Sequence, residues 1–284
     1  MGARGRSVLV TRTVDELSIQ DERAFRHVPL YAPLKELLRR DGYKFQILPR
    51  ASARWNHALL LNLTYWGGDG GGDVVESERV PADVIAHAAW HHLAARLVRE
   101  STRQRSSAAI TPEALFFGES IASAFDAYLV GHLLSAAPRC AFLATQVPAM
   151  ADVARDAGLS ARGFEALLET MARDPEASFE SLRELLYDTS LALVDARTTR
   201  AAHAILVRAA AHPFGSLLHR YELSNWVLYA RAYAVRGALS ARTTADAKAR
   251  VKHPVRTFDA ALRRAESPLS WLSSALLGAG ERGV

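Results

Sequence analysis

The 284-residue chain has a single cysteine, Cys140, so it can build neither an intramolecular disulfide framework nor a thiolate zinc site. The surrounding Pro138-Arg-Cys-Ala-Phe-Leu reads as the start of an apolar segment, where a cysteine serves as a small buried hydrophobe rather than a nucleophile. Lysine is scarce too: only Lys35, Lys44, Lys248 and Lys252 occur, so the basic charge is nearly all arginine. The net charge of +5 permits nucleic-acid or membrane contact without demanding either. Long apolar runs are missing as well. The richest stretch, Ile121 to Leu134, is broken by Asp126 and His132, which argues against a spanning helix of about 20 apolar residues. Near the N-terminus, Asp15 and Glu16 precede any long apolar run, so no signal peptide is visible and a cytoplasmic protein without a membrane partner is expected. No Gly-x-Ser-x-Gly elbow and no Gly-x-Gly-x-x-Gly turn is present. The Gly67-Gly-Asp-Gly-Gly-Gly-Asp73 run lacks a following Gly-Lys-Ser/Thr, so it reads as a connecting loop and not a phosphate cradle.

The chain that remains is 49% hydrophobic and long enough for one large or two smaller cores. Tyr43-Lys-Phe-Gln-Ile and Leu59 to Trp66 alternate as strands of a small sheet. From Pro81 onward the pattern becomes helical: one helix to about Glu100, then a second from about Glu113 to Leu134 with Thr111 as cap and Pro112 in its first turn. Further helices are predicted at about 150–157, 160–172, 177–212 and 216–238, with Pro138 and Pro148 as punctuation and the longer stretches open to a break. A basic linker, 242–256, precedes a last short helix near 258–266. The expected class is therefore α+β and predominantly helical. We divide it as 1–137 (small sheet and helix pair), 138–240 (helical) and 241–284 (linker and short helix).

The most specific chemistry lies in His87-Ala-Ala-Trp-His91. Residues i and i+4 stand one above the other on a helix, so the two imidazoles can converge on one point, as two ligands of a tetrahedral zinc would. A general base is absent, because Ala88 stands where the sequence His-Glu-x-x-His would put a glutamate beside a metal-bound water. His92, about 100° further round the helix, would face away. Asp126 sits seven residues after Glu119 on the same face of its helix, where it could accept a hydrogen bond from a ligand histidine. The stripe His87, Trp90, His91, Ala94, Val98 fits a plain core-facing surface equally well, with the histidines satisfied by packing alone.

His87-Ala-Ala-Trp-His91 followed by Glu119-Ser-Ile-Ala122-Ser-Ala-Phe125 resembles the core of gluzincin metallopeptidases, and within them the ImmA/IrrE group, over residues 80 to 135. The resemblance implies a zincin-like helix pair with His87, His91 and Glu119 as zinc ligands, and a regulatory or anti-repressor context with a protein partner. The departure at Ala88 implies a pseudoenzyme. If the chain does catalyse, it would be a metal-dependent, peptidase-like hydrolase.

A second signal is Met150 to Leu168, in which Gly158 and the cap Ser160 separate two helices as in a helix-turn-helix. Ala157-Gly-Leu-Ser-x-Arg-x-Phe164 is similar to AraC-type DNA readers, and ImmA/IrrE-like chains often carry such a unit. Glu165, Glu169 and Asp174 against Arg162 and Arg173 make it a poor partner for a phosphate backbone, so packing is favoured over DNA. His219 and Glu222 share a helix face, but no second Glu-x-x-His pair supports a di-iron bundle. Three readings stand: a metal-binding, peptidase-inactive regulator; a helix-turn-helix DNA-binding regulator; and a metal-free helical scaffold. On the first, rebuilding the motif by Ala88→Glu should leave the fold intact.

Overall fold

Residues 112–136 set the architecture. Phe116, Phe117, Ile121, Phe125, Tyr128, Leu129, Val130 and Leu133 point in every direction round a helix, and all are buried. A helix apolar on all sides must be enclosed by others. In the computed structural model, which describes residues 9–48, 72–102, 111–240 and 255–274 except 268 and 273, this helix is the axis of the molecule. Thr111 caps it through its side-chain oxygen, which accepts from the Ala114 amide, and Pro112 occupies its first turn, as the sequence predicts.

The N-terminal part holds strands β1 (Val10–Thr13), β2 (Ser18–Gln20), β3 (Lys44–Ile47), β4 (Val74–Val75) and β5 (Arg79–Pro81), with helices α1 (Glu22–Phe25) and α2 (Tyr31–Arg40) between β2 and β3. Strand β3 runs antiparallel to β1 and parallel to β4, while β2 and β5 pair in parallel as a separate ribbon. The expected strand at 43–47 is present; the one at 59–66 lies outside the described residues. Pro81 closes β5 instead of opening the next helix, and α3 spans Ala82–Thr102. The enclosed helix above is α4 (Pro112–Ala136).

Around α4 pack α3 and four later helices: α5 (Ala141–Asp156), α6 (Ala161–Arg173), α7 (Pro175–Asp195) and the helix at Arg220–Ser240, with the closest packing against α7. Helix α5 starts nine residues earlier than predicted and passes through Pro148, whose exposed position lets solvent satisfy the carbonyl that its missing N–H leaves open. The predicted 177–212 stretch is two helices, α7 and α8 (Thr199–Ala210). Arg231 of α9 (Arg220–Ser240) donates to the carbonyls of Leu193, Val194 and Ala196 and so seals the end of α7. Residues 255–262 and 269–272 are helical and bury Val255, Leu262, Leu269 and Leu272. They are tied to α7 by Arg183, fully buried, which donates to Glu180 and, at 2.8 Å, to Asp259. Arg263 extends this network from Asp259 to Asp188. The fold is α+β and predominantly helical. No helix among the described residues is long and apolar enough to cross a membrane.

Candidate metal centre

The two histidines come from α3 and the glutamate from α4, helices packed directly on one another. Trp90, buried between the histidines in sequence, fixes that packing by meeting Phe125 of α4 edge-on at 5.2 Å. On the other side of α3, His92 and Arg96 both reach Asp41 Oδ2, at 2.8 and 2.9 Å, and Tyr43 stands edge-on to the His92 ring. Burial raises the Asp41 carboxyl, but the hydrogen bonds from His92, Arg96 and Arg40 outweigh it and hold the group below its ordinary range. His92 thus faces away from His87 and His91, as the helical rotation predicts, and clamps α3 to the end of α2. Nothing in the sequence announced Asp41 as its partner, 51 residues away.

His87 and His91 converge: their Nε2 atoms are 2.9 Å apart and the ring centroids 4.6 Å. Glu119 Oε2 lies 3.6 Å from His91 Nε2. One ligand atom from each of the three residues falls within 4.8 Å of the others, a grouping that can hold a metal ion. Tetrahedral zinc with bonds of 2.0–2.1 Å sets its ligands about 3.3 Å apart, and the two separations made by His91, 2.9 and 3.6 Å, fall on either side of that value. The protonation state also suits. Burial drives the His87 pKa down to about 4, and burial followed by the charge of His87 pushes His91 well below its ordinary value. Both rings are neutral at pH 7, with lone pairs available to a cation.

Ala88 is fully buried, so the position of the missing base is core and not a wall of the site. Asp126 lies two turns along α4 from Glu119, and its Oδ2 accepts from Gln146 Nε2 at 3.2 Å. Burial, with the charges of Asp83 and Glu222 behind it, raises its carboxyl well above the usual range. Asp126, Asp83 and His87 line the inner end of a cleft of about 770 Å³ whose outer walls are Asp73 to Pro81 and Gln20. Strand β4, the turn after it and the ribbon β2–β5 form those walls. Strands of two and three residues carry no readable alternation, so no sequence pattern marks this cleft.

Residues 150–173 do form helix, turn and helix: Gly158 takes φ +89°, and the Ser160 side chain accepts from the Gly163 amide. Helix α6 buries Phe164, Leu167 and Met171 and leaves Arg162, Glu165, Glu169 and Arg173 outward. His219 Nδ1 accepts from the Glu222 amide at the start of α9, a capping contact. Family models, curated proteins and solved structures were all compared with the chain, and none matches.

Proposed function

We propose that the protein is a metal-binding, peptidase-inactive relative of the gluzincin metallopeptidases that acts through a protein partner. The observation that carries this reading is the convergence of the neutral His87 and His91 imidazoles from one helix with the Glu119 carboxylate from the next. Two uncharged nitrogens and one carboxylate are the donor set that zinc takes in sites with one open position. Bound there, zinc would supply Lewis acidity. The chain's own contribution is to hold the three donors between the Trp90–Phe125 contact and the His92–Asp41–Arg96 clamp.

Hydrolysis is not part of the reading, since Ala88 offers no group to take a proton and its side chain is enclosed. With the cleft leading to His87, the site is suited to hold a segment of another protein without cutting it. The test is metal content of tag-free protein, native against His91→Ala, after identical purification and mild chelation. Near one equivalent of zinc in the native chain alone is the expected result. Equal content in the two would remove the histidines from any metal site.

A further inference from the structure

A second cavity, of about 400 Å³, shares no lining residue with the cleft above and is walled by Leu30, Tyr128, His132, Arg173, Glu176 and Leu269 among others. Gly131 creates it. A Cβ there would run into the Met171 carbonyl oxygen, so α4 and α6 touch backbone to backbone, which delivers Arg173 and the start of α7 beside Tyr128 and His132. The polar groups brought together are largely unspent. Tyr128 is 2% exposed, yet its hydroxyl has no hydrogen-bond partner among the described residues. The His132 ring stands edge-on to it at 4.3 Å with neither nitrogen bonded. Arg173 makes no ion pair or hydrogen bond among the described residues. Glu176 lines the same cavity and is near enough for its charge to act on both rings. Its Oε2 accepts from Ser267 at 2.7 Å, which leaves Oε1 open. Asp174, by contrast, is committed to capping Ala177.

The Tyr128 hydroxyl is not among the sealed polar atoms of the core, and Tyr128 lines the cavity, so a bound molecule can take up its hydrogen bond. A cavity lined by both donors and a carboxylate suits a small molecule that carries both charges, and its Pro29, Leu30 and Leu269 lining is apolar. We propose that this pocket binds a free α-amino acid with an apolar side chain. Arg173 and the Tyr128 hydroxyl take its carboxylate, Glu176 its ammonium, and Pro29, Leu30 and Leu269 its side chain.

Calorimetry on the full chain tests this with L-leucine, N-acetyl-L-leucine and L-leucinamide, which differ by the loss of one charge each. Leucine should bind, and each blocked probe should bind roughly tenfold more weakly or worse, the worth of one charge-assisted hydrogen bond. Tyr128→Phe and Arg173→Gln should weaken leucine by a similar factor while the melting temperature stays near that of the parent. Absence of leucine binding, equal affinity for the three probes, or unchanged affinity in both variants overturns the proposal.

Discussion

Ala88→Glu restores the motif His-Glu-x-x-His on paper, and the structure makes it a test of what position 88 is. Ala88 is wholly buried in α3, which reverses the expectation that the substitution would be tolerated. Overpacking a close-packed site costs about 1–3 kcal/mol. The carboxyl adds a second penalty. Without a partner it would fold protonated, and keeping an acid of unfolded pKa 4.3 neutral at pH 7 costs about 1.4 kcal/mol per pH unit, or about 4 kcal/mol. The sum of about 5–7 kcal/mol rivals the whole stability of an ordinary domain. Urea denaturation of chelated protein, followed by far-ultraviolet circular dichroism, should therefore show Ala88→Glu far below the parent at pH 7, with Ala88→Gln losing only the packing part. The sign of the pH effect is fixed. A carboxyl raised in the folded state destabilises increasingly as pH climbs above its unfolded pKa, so the gap between Glu and Gln variants should close as pH falls towards 4. A Glu variant as stable as the parent at pH 7, or a gap indifferent to pH, would show that the side chain reaches water or a partner and that the burial argument is wrong.

Glu119→Ala should lose zinc in equilibrium dialysis, whereas Glu165→Ala on exposed α6 should retain it; equal retention would exclude Glu119 from the site. In metal-free protein, the His87 pKa lies near 4 when folded and near 6.5 when unfolded. Its contribution is therefore intact above pH 6.5 and declines by up to about 3 kcal/mol as pH falls to 4. His87→Asn should flatten that limb of a urea-midpoint profile. Arg183→Ala strands Glu180 and leaves Asp259 with Arg263 alone. It should cost about 3–5 kcal/mol in chemical denaturation, and a loss below 1 kcal/mol would refute the network's importance. Gly131→Ala must push α6 from α4 at Met171 and should lower the melting temperature by several degrees.

The helices that carry the site were legible because their signals are local. Four-residue spacing put His87 above His91, and Thr111-Pro112 marked where α4 begins. Glu119 was different. No periodicity links it to the histidines, and only the resemblance of the whole segment singled it out. What the sequence hid depends on distant pairing or on absent punctuation. The cleft walls come from strands too short to alternate, and the clamp on α3 needs Asp41 from the end of α2, 51 residues from His92. The break at Ala196–Thr198 contains no glycine or proline, and Cys140 starts α5 without a side-chain cap. Leu59 to Trp66 and most of the basic run at 242–256 lie outside the described residues.

The enclosure of α4 also bears on the order of events at the ribosome. Glu119 belongs to a helix whose broadest wall is α7, where Phe117 meets Tyr187. A nascent chain that ends before Asp195 has made His87, His91 and Glu119 but shows that apolar wall to water. Translation must pass well beyond Glu119 before these three side chains can be held in register. Slow codons between 136 and 195 would lengthen the exposed interval, and pulse-labelled chains should become resistant to protease and competent for metal at the same moment.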